Sequence, residues 1–213
     1  MEIKYLGHSS FRIKGKTGAV VCDPFNPEAV GLKFPKDVVA NAVTVSHDHS
    51  DHNDLSQVLG NPVRIAGPGE YEVSQIKIFG YPSFHDNDNG LKRGKNTIYV
   101  IKTDGVAVCH LGDLGHKLAD QLIEELGNID ILLIPVGGFY TIDAKEAVEV
   151  IHQIEPRIVI PMHYQKGGLK ETENLLPLAV FVKEMGKTPE TLNKLNISVD
   201  KLPSETTVVV LEQ

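Results

Sequence analysis

Ser46-His47-Asp48-His49-Ser50-Asp51-His52 places three imidazoles and two carboxylates within seven residues. On a helix, positions 47, 49, 51 and 52 would scatter around the circumference, because neighbours on one face lie three or four apart. The preceding Ala42-Val43-Thr44-Val45-Ser46 has the make-up of a buried strand, so the cluster belongs where that strand ends and the chain can curl. Convergence without a cation would bury unpaired polar groups. A divalent metal gives neutral imidazoles and ionised carboxylates a common partner. A solvated polar loop is the competing reading of this segment taken alone.

The same event recurs downstream. Apolar, strand-like runs lead into His85, into Asp113 and into His163. Groups at strand ends are held by a rigid scaffold, and if these ends share one edge, all face one cleft. A catalytic zinc commonly takes three protein ligands and keeps a position open for water. His47, His49, Asp51, His52, His85, Asp113 and His163 are too many for one such ion. Two ions of three ligands each, with one carboxylate bridging, use them all. These ligands suit zinc, and they also accept manganese, iron or nickel.

The elements that must position these groups are legible from periodicity. Val-, Ile- and Tyr-rich runs with turn punctuation predict strands at 2–6, 10–14, 19–23, 42–46, 63–67, 75–81, 97–102 and 106–113. Asp104-Gly105 marks a hairpin turn. Further strands are expected in the runs beginning at Ile129, Arg157 and Thr206. Helices are expected at 54–59 (short), 116–127, 143–156 and 172–186. Asp143 and Glu146 have capping-box spacing, and Pro177 leaves the start of the last helix open. The Gly-rich segments 66–73 and 135–144 read as turns, since neither has the context of a phosphate-binding loop. Neither linker nor repeat is visible, so residues 1–213 are expected to form one mixed α+β domain.

Composition narrows the function. With 41% hydrophobic and 23% charged residues the chain reads as globular. A net charge of -7 disfavours nucleic acid as a partner. No run approaches the length of a membrane span, and the first residues carry neither an apolar signal core nor a basic leader. Cys22 and Cys109 lie in apolar runs and are expected to be buried, reduced thiols. A cytoplasmic setting and a small-molecule substrate follow as expectations; the sequence sets no oligomeric state.

His47-Asp48-His49-Ser50-Asp51-His52 matches the HxHxDH motif of the metallo-β-lactamase superfamily, and it is followed in order by a strand-end His85, by Gly112-Asp113 and by Pro161-Met162-His163-Tyr164. The chain resembles that superfamily from Asp23 to His163. The resemblance implies a four-layered αββα sandwich. It implies that His47, His49 and His85 hold one metal, that Asp51, His52 and His163 hold a second, and that Asp113 bridges them. Asp23 matches the family's early aspartate, which accepts a hydrogen bond from a ligand histidine and fixes its tautomer. Leu6-Gly7-His8-Ser9-Ser10-Phe11, His110-Leu111-Gly112-Asp113-Leu114-Gly115 and Pro161-Met162-His163-Tyr164 look like the branch containing ascorbate-6-phosphate lactonase and an N-acylphosphatidylethanolamine phospholipase D. Asp113 stands where the zinc β-lactamases have Cys, and His49 where flavodiiron members have Glu, so neither β-lactam hydrolysis nor oxygen reduction is expected.

The implied activity is a binuclear metal-dependent hydrolase: two ions share a water, lower its pKa, and direct hydroxide at a small ester, lactone or phosphodiester. Asp51, a ligand first, could also steer a proton to the leaving group. The alternatives are a phosphodiesterase in particular, or a metal-binding regulatory protein that keeps the fold without turnover. Around the ligands, His8 is expected near the cleft, His110 behind Asp113, and His116 close enough to meet a substrate's polar group. Each has an ordinary hydrogen-bonded histidine as its competing reading. Tyr140 and Thr141 could line the cleft. Lys92, Arg93 and Lys95 read either as a clamp for an anionic substrate or as a solvated hairpin tip, and charged turns favour the tip.

Overall fold

The computed structural model describes residues 1–166 and 174–213. Among them fourteen strands run in chain order: β1 (Glu2–Gly7), β2 (Ser10–Lys14), β3 (Ala19–Cys22), β4 (Ala42–Val45), β5 (Val63–Ala66), β6 (Gly69–Val73), β7 (Ile76–Phe84), β8 (Lys95–Thr103), β9 (Val106–His110), β10 (Ile131–Pro135), β11 (Ile158–Met162), β12 (Glu190–Leu192), β13 (Leu195–Asn196) and β14 (Thr207–Leu211). They form a six-stranded sheet, β13-β1-β2-β3-β4-β5, and an eight-stranded sheet, β12-β14-β11-β10-β9-β8-β7-β6. Among the described residues the helices are α1 (Pro27–Val30), α2 (Asp120–Leu126), α3 (Ala144–Ile154) and α4 (Leu178–Met185).

Three apolar clusters define the layers. Ile3, Phe11, Ile13 and Val20 of the first sheet meet Ile78, Tyr99, Ile101, Ile131 and Ile160 of the second, forming a dry core between the sheets. Val100, Cys109, Leu132 and Val159 on the other face of the second sheet are covered by Ala147, Val150 and Ile151 of α3 and Phe181 of α4. Val21, Val43 and Val45 on the outer face of the first sheet are covered by Val30 of α1 and by Phe25, Phe34 and Val38 from coil. The αββα sandwich therefore has one thick helical layer and one thin layer of coil with a single helical turn. Each fully buried Ile or Phe contributes roughly 1.5–3 kcal/mol.

Local chemistry explains the boundaries. Asp143 and Glu146 form the expected capping box at the start of α3. Pro177 takes the N-cap position of α4, which Gly186 ends in a left-handed conformation; Thr172 and Glu173, expected in this helix, lie outside the described residues. Residues 54–59, expected as a short helix, give only a 3₁₀ turn at Leu55–Gln57, capped by Asp54. Helix α2 covers only the second half of its expected span. One expectation is overturned: residues 69–73, read as turn, form β6, which pairs with β7 through a hairpin at Ser74-Gln75. Its alternation was hidden behind Gly67-Pro68-Gly69, and Ser-Gln is not a residue pair that signals a left-handed turn.

Parallel pairing matters most for function. β3, β4 and β5 run parallel in the first sheet, and β9, β10 and β11 in the second. β7 is antiparallel to β8, which is antiparallel to β9, so β7 ends at the same edge as β9 and β11. The carboxyl ends of β3, β4, β7, β9 and β11 deliver Asp23, His47, His85, Asp113 and His163 respectively.

Candidate metal centre

The seven histidines and aspartates singled out as ligands come together at that edge. His47, His49 and His85 form one group whose ligand atoms lie within 4.8 Å of one another; His8, Asp51, His52 and His163 form a second. Asp113 stands between them. Its Oδ2 is 3.2 Å from His85 Nε2, 3.2 Å from His163 Nε2, 3.3 Å from His52 Nε2 and 3.9 Å from His47 Nε2. One carboxylate oxygen cannot accept from four buried imidazoles, and among the described residues Asp113 Oδ1, His47 Nε2 and His52 Nε2 are buried without a hydrogen-bond partner. Such orphaned atoms are costly. Neutral Nε2 lone pairs and an anionic oxygen directed at shared points fit divalent cations.

The tautomers are set from behind. Asp23 is completely buried and accepts from His52 Nδ1 at 2.8 Å and from the Ser46 backbone N–H at 2.8 Å. Ser46 Oγ donates to Asp23 and lies 2.9 Å from His47 Nδ1. A hydroxyl that donates to a carboxylate must accept from the imidazole, so His47 carries its proton on Nδ1. Both His47 and His52 thus turn lone pairs into the site. Asp23, His47 and His52 also cluster within 4.8 Å, but the atoms of Asp23 are engaged in these hydrogen bonds. Ser46 was not singled out in the sequence; its only signal is that it opens the histidine-rich run.

Burial and neighbouring charge together set the protonation of these groups. Burial, followed by the neighbouring His52, pushes His47 down to about 3. Burial and His163 lower His8 to about 4 against the pull of Asp51. Burial and His85 lower His49. Burial alone would raise Asp113, but the imidazoles around it, His163 first, hold it well below the usual carboxylate range. The protein therefore favours neutral imidazoles around an ionised carboxylate. His52 is the exception. Asp113 and Asp51 overcome its burial and raise it, which shows how much negative charge faces that ring.

Backbone placement is supported by neighbours that carry no chemistry themselves. Asn96 Oδ1 accepts from the Asp113 N–H, while its amide donates to Ser83 Oγ and the Leu111 carbonyl. A Cβ on Gly112 would lie 2.4 Å from Asn96 Oδ1 and 2.6 Å from Ser46 Cβ, so only glycine admits this approach. His110, expected behind Asp113, accepts from the Gly112 N–H and contacts the Ser9 carbonyl at 2.8 Å; it braces the turn that presents Asp113. His8 goes further than expected: its Nε2 is 3.1 Å from Asp51 Oδ2, inside the second group.

His116 takes the ordinary hydrogen-bonded reading of the two offered for it. Its Nε2 accepts from the Phe84 N–H and its Nδ1 lies 2.7 Å from the Lys117 carbonyl, so both ring nitrogens are occupied by backbone and the ring secures the end of β7. Tyr140 lines a cavity of about 290 Å³ together with His8, His49, Asp51, His85, Arg93, Asp113 and His163. Thr141 does not line it; its hydroxyl is turned to the Ile142 carbonyl. Arg93 is half-buried with its guanidinium 4.9 Å from the Tyr140 ring centroid. Lys92 is exposed beside Asp88.

Residues 2–163, most of the chain and all seven of these positions, match the family described as the β-lactamase superfamily domain. The chain belongs to the metallo-β-lactamase superfamily. A Thermotoga maritima member described as a Zn-dependent hydrolase superposes with a TM-score of 0.82 at 41% identity, covering 99% of this chain and 98% of its own. A UPF0173 metal-dependent hydrolase of Thermococcus onnurineus is 32% identical over 192 residues, 77% of this chain and 84% of the relative. Another from Staphylothermus marinus is 34% identical, covering 87% and 97%. A metallo hydrolase of Ignicoccus hospitalis shares the metallo-β-lactamase fold, with a TM-score of 0.64 at 22% identity over 100% of this chain and 96% of its own.

Proposed function

We propose that this metal-dependent hydrolase works with two divalent ions, zinc first, and opens a small ester, lactone or phosphodiester. His47, His49 and His85 hold one ion, Asp51, His52 and His163 the other, and Asp113 bridges them. The observation that carries this reading is the convergence of four imidazole Nε2 atoms on a single buried carboxylate oxygen. Ions bound there would supply Lewis acidity and a water acidic enough to act as a nucleophile near neutral pH. The chain's own groups do the rest. Asp23 and Ser46 keep His47 and His52 in the ligating tautomer. Asp51, a ligand first and held by His8 at 3.1 Å, can take the proton given up by the attacking water and pass it to a departing oxygen. Tyr140 lines the cavity, and its hydroxyl, which accepts from the Asn174 amide at 3.3 Å, keeps a proton it can donate to the attacked group.

An open cavity beside the ligands favours turnover over a purely regulatory metal site. Carbonyl and phosphorus centres are served by the same ligands, so phosphodiester cleavage stays within the proposal, as does the likeness to the lactonase-like branch. The reading includes a single domain and a cytoplasmic setting with a small-molecule substrate. Both cysteines being free and buried supports that setting. No described helix is long and apolar enough to cross a membrane.

The deciding experiment is elemental analysis of protein purified without chelators, beside Asp113→Ala, followed by a lactone, thioester and phosphodiester panel. About two ions per chain, falling in the variant, are expected. Full metal content and full activity in Asp113→Ala would remove the bridging role. Protein that holds no metal after reconstitution with zinc and manganese would end the catalytic reading.

A further inference from the structure

Beside the metal centre lies a second, larger cavity of about 630 Å³ at the open edge between the sheets. It shares His49 and Arg93 with the smaller one, so the two are neighbours that meet at those side chains. Its walls are largely apolar, with Pro68, Pro82 and Phe84 among them, yet three cations, Arg64, Arg93 and Lys95, reach it. Among the described residues the only acid in its lining, Asp48, accepts a hydrogen bond from Asn53 at 2.7 Å. Among the described residues, none of the three cations forms an ion pair. That concentration stands out in a chain of net charge -7.

Arg93 is also fixed in place. The Asp86 carboxylate accepts from the backbone N–H groups of Asp88, Gly90, Lys92 and Arg93, which folds the 86–94 loop around it. The His85 N–H is bonded to the Gly94 carbonyl, tying the loop to a metal-facing histidine. The Arg93 guanidinium lies 4.9 Å from the Tyr140 ring centroid, a cation–π contact, and among the described residues its N–H groups meet no carboxylate, which leaves them for an anion. A solvated hairpin tip would need none of this.

We infer that the larger cavity is a substrate subsite for an apolar segment ending in a carboxylate or phosphate, held by Arg64, Arg93 and Lys95 while the scissile group sits at the metal centre. The inference rests on the hydrolase reading, which supplies the occupant, and deepens it by naming the substrate class: amphipathic organic anions. The shared chemistry is an oxyanion recognised by guanidinium and ammonium donors.

The test is calorimetric titration of the zinc-loaded full chain with three probes that contain no ester, lactone or phosphodiester bond: 3-phenylpropionate, 3-phenylpropylphosphonate and the neutral 3-phenylpropanamide, the last checked for intactness after the titration. Wild type should bind at least one acid about tenfold more tightly than the amide, as expected for a charge-assisted contact, and the stronger acid identifies carboxylate or phosphate as the natural group. In Arg64→Gln/Arg93→Gln/Lys95→Gln that preference should vanish, while Lys92→Gln should retain it. If the triple variant melts early, Arg64→Gln/Lys95→Gln, both at exposed positions, should still lose part of the preference. Equal binding of acid and amide by wild type overturns the inference. So does a preference that survives in the triple variant, because the anion would then sit on the metals. Turnover is not part of the readout: anion preference without hydrolysis on any panel would sink the catalytic reading alone, and hydrolysis without preference would sink this one alone.

Discussion

Ser46→Ala removes one oxygen and isolates the relay from Asp23 to His47. The hydroxyl donates to a fully buried carboxylate and accepts from His47 Nδ1. A hydrogen bond to a charged group is worth about 1.5–3 kcal/mol, and a buried N–H left without an acceptor costs about 1–3 kcal/mol. Asp23 keeps the Ser46 backbone N–H and His52 Nδ1, so the metal-free variant should lose roughly 2–4 kcal/mol in urea unfolding rather than fail to fold. The larger diagnostic is metal affinity. With Nδ1–H unanchored, His47 can rotate or protonate on Nε2, and loss of such an outer partner weakens binding about 10–100-fold. That equals about 1.4–2.7 kcal/mol. Competition with a zinc chelator reads it directly, and the weakening should fall on one ion, since His52 keeps its own contact with Asp23. Unchanged affinity for both ions, with wild-type stability, would show that the hydroxyl orients nothing.

Asp23→Asn should weaken both ions, because Asp23 touches His52 directly and His47 through Ser46; a chelator titration losing only one step would contradict that. Tyr99→Phe should cost about 1–3 kcal/mol in urea unfolding, since the hydroxyl accepts from the Gly67 N–H at 2.9 Å and donates to the Val45 carbonyl at 3.1 Å, joining the sheets beside the site. Burial would raise the carboxyl of Asp86, but the N–H groups of Arg93, Asp88, Lys92 and Gly90 bring it from an ordinary 3.8 to about 2. A lowered folded-state pKa stabilises above the unfolded value and is lost as pH falls through the folded one. Asp86→Asn should therefore be less stable than wild type at pH 6, with the gap closing between pH about 4 and about 2; a gap independent of pH would mean that charge is not what holds the loop.

How much of this was legible depended on the range of the interaction. Strands ending at His47, His85, Asp113 and His163 could be read because apolar alternation and a following polar residue are both local, and all seven proposed ligands do meet. The capping box of α3 was local too. His110 could be placed behind Asp113 because it stands three residues before it, but Ser46 and Asn96 act through partners far away in the chain, Asp23 and Asp113, and little in their own neighbourhoods distinguishes them from ordinary polar residues. His116 could be read either way for the same reason: the sequence does not show its distant partner, the Phe84 N–H. Arg93 looked like a turn residue because the loop sequence shows its charges but not Asp86 gathering the backbone beneath it.

One regularity joins the site's chemistry to its geometry. His8, Asp23 and His163 all have left-handed backbone conformations, with φ of 53°, 42° and 51°. Each follows the end of a strand, where a sharp change of direction swings the side chain from the sheet face toward the common point. Such a conformation costs on the order of 1–3 kcal/mol per residue and persists only where surrounding structure over-determines it. Here it is over-determined: the His8 carbonyl accepts from Tyr5 Oη at 2.8 Å and from the His163 N–H at 3.2 Å, and the Asp23 N–H donates to the Thr44 carbonyl at 2.9 Å. Asp and His are also among the non-glycine types that enter this region most readily. The demands of metal binding and of the corner therefore select the same residues, and the dry core between the sheets carries the strain that aims them.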